Sequence, residues 1–143
     1  MKWIVCIVFL LLAILCSGCT TTTGSTSTTA PTHPNLVGNW TGPMKGYIEG
    51  SGYKEYPAGL LTMVVTEQKD RFFSGILVEP VGNKTDVEEF SGVIHPDGKT
   101  FSMVEYNGGY NHGTILSNNE IELIYMNDKK PAILFIDSFQ RVP

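Results

Sequence analysis

Two carboxylates stand where an alternating sequence would turn them inward. Asp137 shares the parity of Ile133, Phe135 and Phe139, and Glu105 shares that of Phe101 and Met103, although Val104 and Tyr106 leave the second face ambiguous. A carboxylate placed among apolar side chains needs a partner, and Arg141 or a tyrosine is the expected one for Asp137. Paired carboxylates are also the raw material of a glycosidase, in which separation in space rather than in sequence defines the chemistry. The remaining candidates are few. His95 precedes Pro96-Asp97-Gly98 and reads as a surface turn residue. His112 lies in Tyr106-Asn107-Gly108-Gly109-Tyr110-Asn111-His112-Gly113, a stretch whose hydrogen-bonding and aromatic groups make Tyr106, Tyr110 and His112 candidate contacts for a ligand or partner. A second such stretch, Gly46 to Pro57, carries Tyr47, Tyr53 and Tyr56 on a glycine-rich connection. Tyrosines so placed give rigid amphipathic contact area suited to a protein or a sugar. The same connection would serve equally well as a lid whose tyrosines plug one end of the core.

Metal chemistry and covalent catalysis find little support. Residues 36 to 143 hold two separated histidines and no cysteine, which is not a ligand set for a metal. They contain no nucleophile elbow, phosphate loop or EF-hand spacing either. No cofactor is expected. The leading expectation is a binding module for a small molecule, a glycan or a partner protein. An envelope structural or inhibitor-type protein is the alternative, and a hydrolase built on a carboxylate pair comes after both.

The N-terminus carries an address. Lys2 precedes an unbroken apolar run of thirteen residues, Trp3 to Leu15. A membrane-spanning helix needs ~20 residues, whereas a signal-peptide core needs roughly 7 to 15. Leu15-Cys16-Ser17-Gly18-Cys19 then resembles a bacterial-type lipobox: Ser17, Gly18 and Cys19 match it, and Cys16 stands where leucine is usual. The resemblance implies a signal peptide over residues 1–18 and a thioether lipid on Cys19, placing the chain on the outer face of the cell membrane. Cleavage without a lipid and an uncleaved N-terminal anchor remain open, and each leaves residues 36 to 143 outside. Loss of the signal removes Lys2 and leaves nine basic against fourteen acidic residues, a balance unfavourable to nucleic acid or anionic lipid. Membrane contact is therefore expected through the lipid anchor alone.

Stepping along the mature chain, residues 19–35 form the lipidated cysteine and a Thr/Ser-rich tether. Residues 20–35 hold no large apolar side chain to repay the entropy of ordering, and His33 reads there as a solvated residue. From Leu36 onward short alternating segments are broken at close intervals by turn residues. Strands are predicted over 36–48, 59–68, 71–80, 86–95, 99–107, 110–117, 120–127 and 131–142, joined by Gln68-Lys69-Asp70, Gly82-Asn83-Lys84, Pro96-Asp97-Gly98, Gly108-Gly109, Asn118-Asn119 and Asn127-Asp128. The fold class is all-β: a small antiparallel up-and-down meander closing into a roughly eight-stranded β-barrel over residues 36–143, since closure removes the exposed edges. Phe73-Ser74-Gly75-Ile76 recurs as Phe90-Ser91-Gly92-Val93 in the next strand, and glycine inside a strand marks a sharp bend or a close approach of backbone.

Gly38-Asn39-Trp40 at the start and Arg141 at the end resemble the Gly-x-Trp signature of lipocalins, fatty-acid-binding proteins and avidins. That resemblance implies a calycin-like closure in which Arg141 lies on the Trp40 ring. The stretches LVGNWTG, VVTEQKDRFFSG, FSGVIHPDGKTFSMVE and EIELIYMND are also similar to uncharacterised lipoproteins of methanogenic archaea, a resemblance that implies an envelope location and no activity. In that context Asn39 and Asn83, each opening an Asn-x-Thr sequon, are possible N-glycosylation sites.

Overall fold

The structure, a computed structural model, describes residues 33–81 and 83–143. The signal segment, Cys19 and the tether up to residue 32 lie outside the described residues. Ten strands follow in order: β1 (Gly38–Thr41), β2 (Met44–Ile48), β3 (Gly52–Tyr56), β4 (Thr62–Lys69), β5 (Phe72–Val81), β6 (Lys84–Ile94), β7 (Thr100–Glu105), β8 (Tyr110–Ser117), β9 (Glu120–Asn127) and β10 (Ile133–Val142). Every pairing is antiparallel, and β4 to β10 form an uninterrupted meander. Strand β1 pairs with both β4 and β10 and closes an eight-stranded barrel.

The predicted first strand is split. Both β1 and β2 run along β10, β1 opposite Gln140–Val142 and β2 opposite Ile133–Asp137. The break falls at Gly42-Pro43. A Cβ on Gly42 would lie 1.8 Å from the Ser138 carbonyl oxygen, so only glycine lets the two backbones cross this closely. Past the break β2 leaves β4 and pairs with β3 instead. The Gly46–Pro57 stretch, expected as a loop, is thus a β-hairpin, turned at Gly50-Ser51-Gly52 with positive φ at Gly50 and Gly52.

The interior below the hairpin is filled. Trp40, Met63, Val65, Phe73, Phe90, Ile94, Phe101, Met103, Ile121 and Phe139 are buried in one cluster. The repeated Phe-Ser-Gly units pack reciprocally: Phe73 pairs with Gly92 and Phe90 with Gly75 across β5 and β6. A Cβ on Gly92 would lie 2.2 Å from the Phe73 ring, so the glycines clear room for aromatic rings rather than for a ligand. Phe73 also meets Phe101 edge-on at 5.4 Å between centroids, a favoured aromatic geometry.

The closed end places Arg141 on the Trp40 ring as expected, an arrangement compatible with a calycin-like fold. Trp40 is fully buried and its indole N–H donates to the Leu36 carbonyl at 2.9 Å. The Arg141 guanidinium lies 4.1 Å from the Trp40 ring centroid and donates to the carbonyls of Val37 (2.6 Å), Asn35 (2.7 Å) and Asn118 (3.0 Å). Contacts with the barrel reach back to His33, whose side chain, expected to be solvated, is only 12% exposed and lies 3.5 Å from Asp70. Gln68 holds this segment by accepting from the Leu36 N–H and donating to the Pro34 carbonyl.

Candidate functional site

At the other end the inward-facing sequence changes character. Moving toward the β2–β3 hairpin, apolar positions give way to acids on four strands: Leu77 to Glu79 on β5, Phe90 to Glu88 and Asp86 on β6, Met103 to Glu105 on β7, and Phe139 to Asp137 on β10. These residues line a cup of about 470 Å³, within the size range of small-molecule pockets. Apolar walls come from Met44, Ile48, Leu60, Leu77, Leu123 and Ile133, and aromatic ones from Tyr56, Tyr125 and Phe135. Tyr56 and Phe135 lie 5.8 Å apart between ring centroids. Among the described residues no lysine, arginine or histidine lines the cup.

The floor is polar and deeply buried. Asp137 is 2% exposed, Asn111 3% and Glu105 8%. The Asn111 amide donates to Glu105 Oε1 at 2.7 Å, which leaves Asn111 Oδ1 without a partner, and Asp137 Oδ1 has none either. Neither expected partner of Asp137 relieves this. Arg141 is four positions further along β10, ~13 Å at the rise of a strand, and is occupied at the closed end. Burial pushes the Asp137 carboxyl up to about 7, with the Glu105 charge adding to it. Burial also pushes Glu105 up to about 7, helped by Glu88 and opposed by the Asn111 hydrogen bond.

The rim is acidic as well. Glu79 pairs directly with Asp86 across β5 and β6, a like-charge arrangement that destabilises a sheet. Burial, then the Asp86 charge, raises the Glu79 pKa. Burial likewise raises Tyr125, against the Asn127 hydrogen bond and with the charges of Glu105, Glu88 and Glu79. No family model, curated protein or solved structure matches the chain. The site therefore stands on its own geometry. That geometry can hold a positive charge, or keep a proton on a buried acid near neutral pH. Among the described residues no three His, Cys, Asp or Glu side chains are grouped to hold a metal ion.

Of the aromatic and histidine candidates read from the sequence, only Tyr56 lines the cup. Tyr47, Tyr53, Tyr106 and Tyr110 point outward, 49–62% exposed. His112 is also on the outer wall, 5.9 Å from the His95 ring, which bonds Thr100 and Ser102. Asn39 and Asn83 are exposed. Five outward side chains form a continuous row with Val104, each paired to the next across neighbouring strands: Val104, Tyr110, Met126, Leu134, Tyr47, Tyr53. All six are 42–62% exposed. Asn111, Glu79, Asp86 and Glu88 were not singled out from sequence. Their parity with Gly113, Leu77 and Phe90 was the available signal, hidden because charged residues at strand ends ordinarily read as solvated.

Proposed function

We propose that this protein is a small-molecule-binding module, held on the outer face of the cell membrane by a lipid on Cys19, as in the archaeal envelope lipoproteins it resembles. The single observation that carries the reading is the cup: a concave, mostly apolar cavity with a few convergent polar groups is the usual form of a ligand site. The barrel fills its lower half with buried apolar side chains and leaves the upper half hollow. Deep carboxylates there cost stability, which argues for a role other than packing.

The test is methyl-resolved NMR of the full chain against a diverse set of small molecules. Binding in the cup shifts the methyls of Ile48, Leu77, Leu123 and Ile133, while Leu116, Leu134 and Ile136 on the outer wall serve as controls. Substituting Ile133→Trp to fill the cup abolishes those shifts. Responses that survive this filling, or that never reach the cup methyls, overturn the reading.

The outer apolar row favours a second reading, a protein partner docked on the wall over β7 to β10, β2 and β3, since contiguous exposed apolar surface marks interaction sites. Tyr47→Ser with Tyr110→Ser removes that surface and leaves the cup responses intact.

A further inference from the structure

We infer that the cup takes an organic cation carrying N–H donors, a primary ammonium on an apolar body, with its nitrogen seated at Glu105, Asn111 and Asp137. The inference rests on the reading of the cup as a ligand site and names what that ligand must be. Three observations converge on it.

The first is charge. Five carboxylates face the cup and, among the described residues, no basic side chain does, so an anion is disfavoured and a cation is favoured along the whole path from rim to floor. The directly opposed Glu79 and Asp86 are like charges that a passing or bound cation relieves.

The second is hydrogen bonding. The two floor atoms buried without a partner, Asn111 Oδ1 and Asp137 Oδ1, are oxygens. The orientation of the Asn111 amide follows from its neighbour: the group facing an ionised Glu105 carboxylate must be the donor, so the free atom is the acceptor. An ammonium has three donors and would meet both orphaned oxygens and Glu105. A quaternary ammonium has none and would leave them unpaired.

The third is the wall. Leu77 and Phe135 stand above the floor and Leu123 beside Asp137, with Tyr56 and Tyr125 completing the wall. They offer apolar contact to a hydrocarbon or aryl body, and aromatic faces that attract the cation as it enters. A divalent metal ion would use none of this surface, and the described residues offer no three-ligand cluster for one.

The experiment titrates the full chain with primary amines from butylammonium to decylammonium and with 2-phenylethylammonium. Each is matched by its neutral alcohol and its trimethylammonium analogue. Binding is read by calorimetry and by the cup methyls. The expected result is that primary ammoniums bind about tenfold or more tighter than their alcohols, the order of a buried charge-assisted hydrogen bond, and tighter than the quaternary analogues. Binding strengthens between about pH 5.5 and about pH 8, as Glu105 and Asp137 lose their protons. Glu79 on β5, Asp86 and Glu88 on β6, Tyr56 on β3 and Tyr125 on β9 are the other titratable groups facing the floor. None of them is basic, so no competing cation inside the cup reverses this sign.

Asp137→Asn supplies the discriminating variant. It keeps the shape, removes one of the five charges, raises thermal stability at about pH 8 and weakens the preference for the amine, which Glu105→Gln beside it weakens further. Alcohols binding as well as amines overturn the ammonium assignment and leave the cup reading intact. Quaternary amines binding as tightly as primary ones overturn the hydrogen-bonding half. An absence of any cup response to every probe overturns both readings.

Discussion

Burying Glu105 and Asp137 disfavours the folded state whenever they are ionised, and this makes the domain pH-sensitive in an unusual direction. Both carboxyls are raised to about 7 in the fold, against ordinary values near 4 in an unfolded chain. Between those limits the folded protein holds protons that the unfolded chain has released, so stability falls as pH rises through the window and levels off above it. The expected outcome is a lower melting temperature at about pH 8 than at about pH 5. Glu105→Gln combined with Asp137→Asn should flatten that profile and raise the melting temperature at about pH 8. Asp97 acts in a different window. The backbone N–H groups of Lys99 and Thr100 and the Thr100 hydroxyl pull it down to about 2, so its contribution is lost only as pH falls below the ordinary carboxylate range toward 2. A melting profile that rises steadily from pH 5 to 8 would contradict the buried floor. The two floor acids were legible in the sequence because parity with Phe101 and Phe139 marked them. Asn111 was not: the strand predicted over 110–117 contains it, but a polar residue between the outward Tyr110 and His112 gives no sign of facing a core.

At the level of elements, barrel closure depends on a short contact, the four residues of β1 held between β4 and β10. Trp40 is the center of that contact and Arg141 covers it from the closed end. Trp40→Ala should cost ~3 to 5 kcal/mol, the usual range for removing a large buried aromatic. Arg141→Ala should cost about 1 to 2 kcal/mol, because it loses a cation–π contact and hydrogen bonds to carbonyls that water can partly replace. Chemical denaturation of the two variants checks the order, and equal costs would mean that the guanidinium rather than the indole holds the strands together. Seven of the eight predicted strands lie in the sequence close to where they form, since one buried and one exposed face impose a clear alternation. The first breaks at Gly42-Pro43, and β3 has no counterpart among the predicted strands. Along β3 Tyr53 and Glu55 are exposed, and Lys54 and Tyr56 only half-buried, so the period-two signal that reveals a strand has no core side to read. Tyr47 and Tyr53 still find each other across this hairpin, 5.4 Å apart and edge-on, a cross-strand pair of the kind that stabilises such an edge.

For the whole molecule the question is what would hold it at the proposed membrane surface, and its charge narrows the answers. After the proposed loss of the signal the chain would carry nine basic and fourteen acidic residues, and the cup concentrates five of the acids at the open end. A net negative body gains nothing from an anionic membrane. Two features remain that could hold it there: the proposed lipid on Cys19 and the exposed row from Val104 to Tyr53. They make opposite predictions. If the lipid is the attachment, Cys19→Ser should send the protein into the medium or leave an uncleaved precursor, because single side chains on a barrel wall do not replace an acyl anchor worth ~0.8 kcal/mol per buried methylene. Tyr47→Ser with Tyr110→Ser should then leave fractionation unchanged. If the apolar row is the attachment, the tyrosine variant should be the one released, and Cys19→Ser should stay with the membrane after normal signal cleavage. Immunoblotting of membrane and medium fractions for both variants separates the two. Retention of Cys19→Ser with normal processing would remove lipidation from the account, and leave the cup, which depends only on the barrel, untouched.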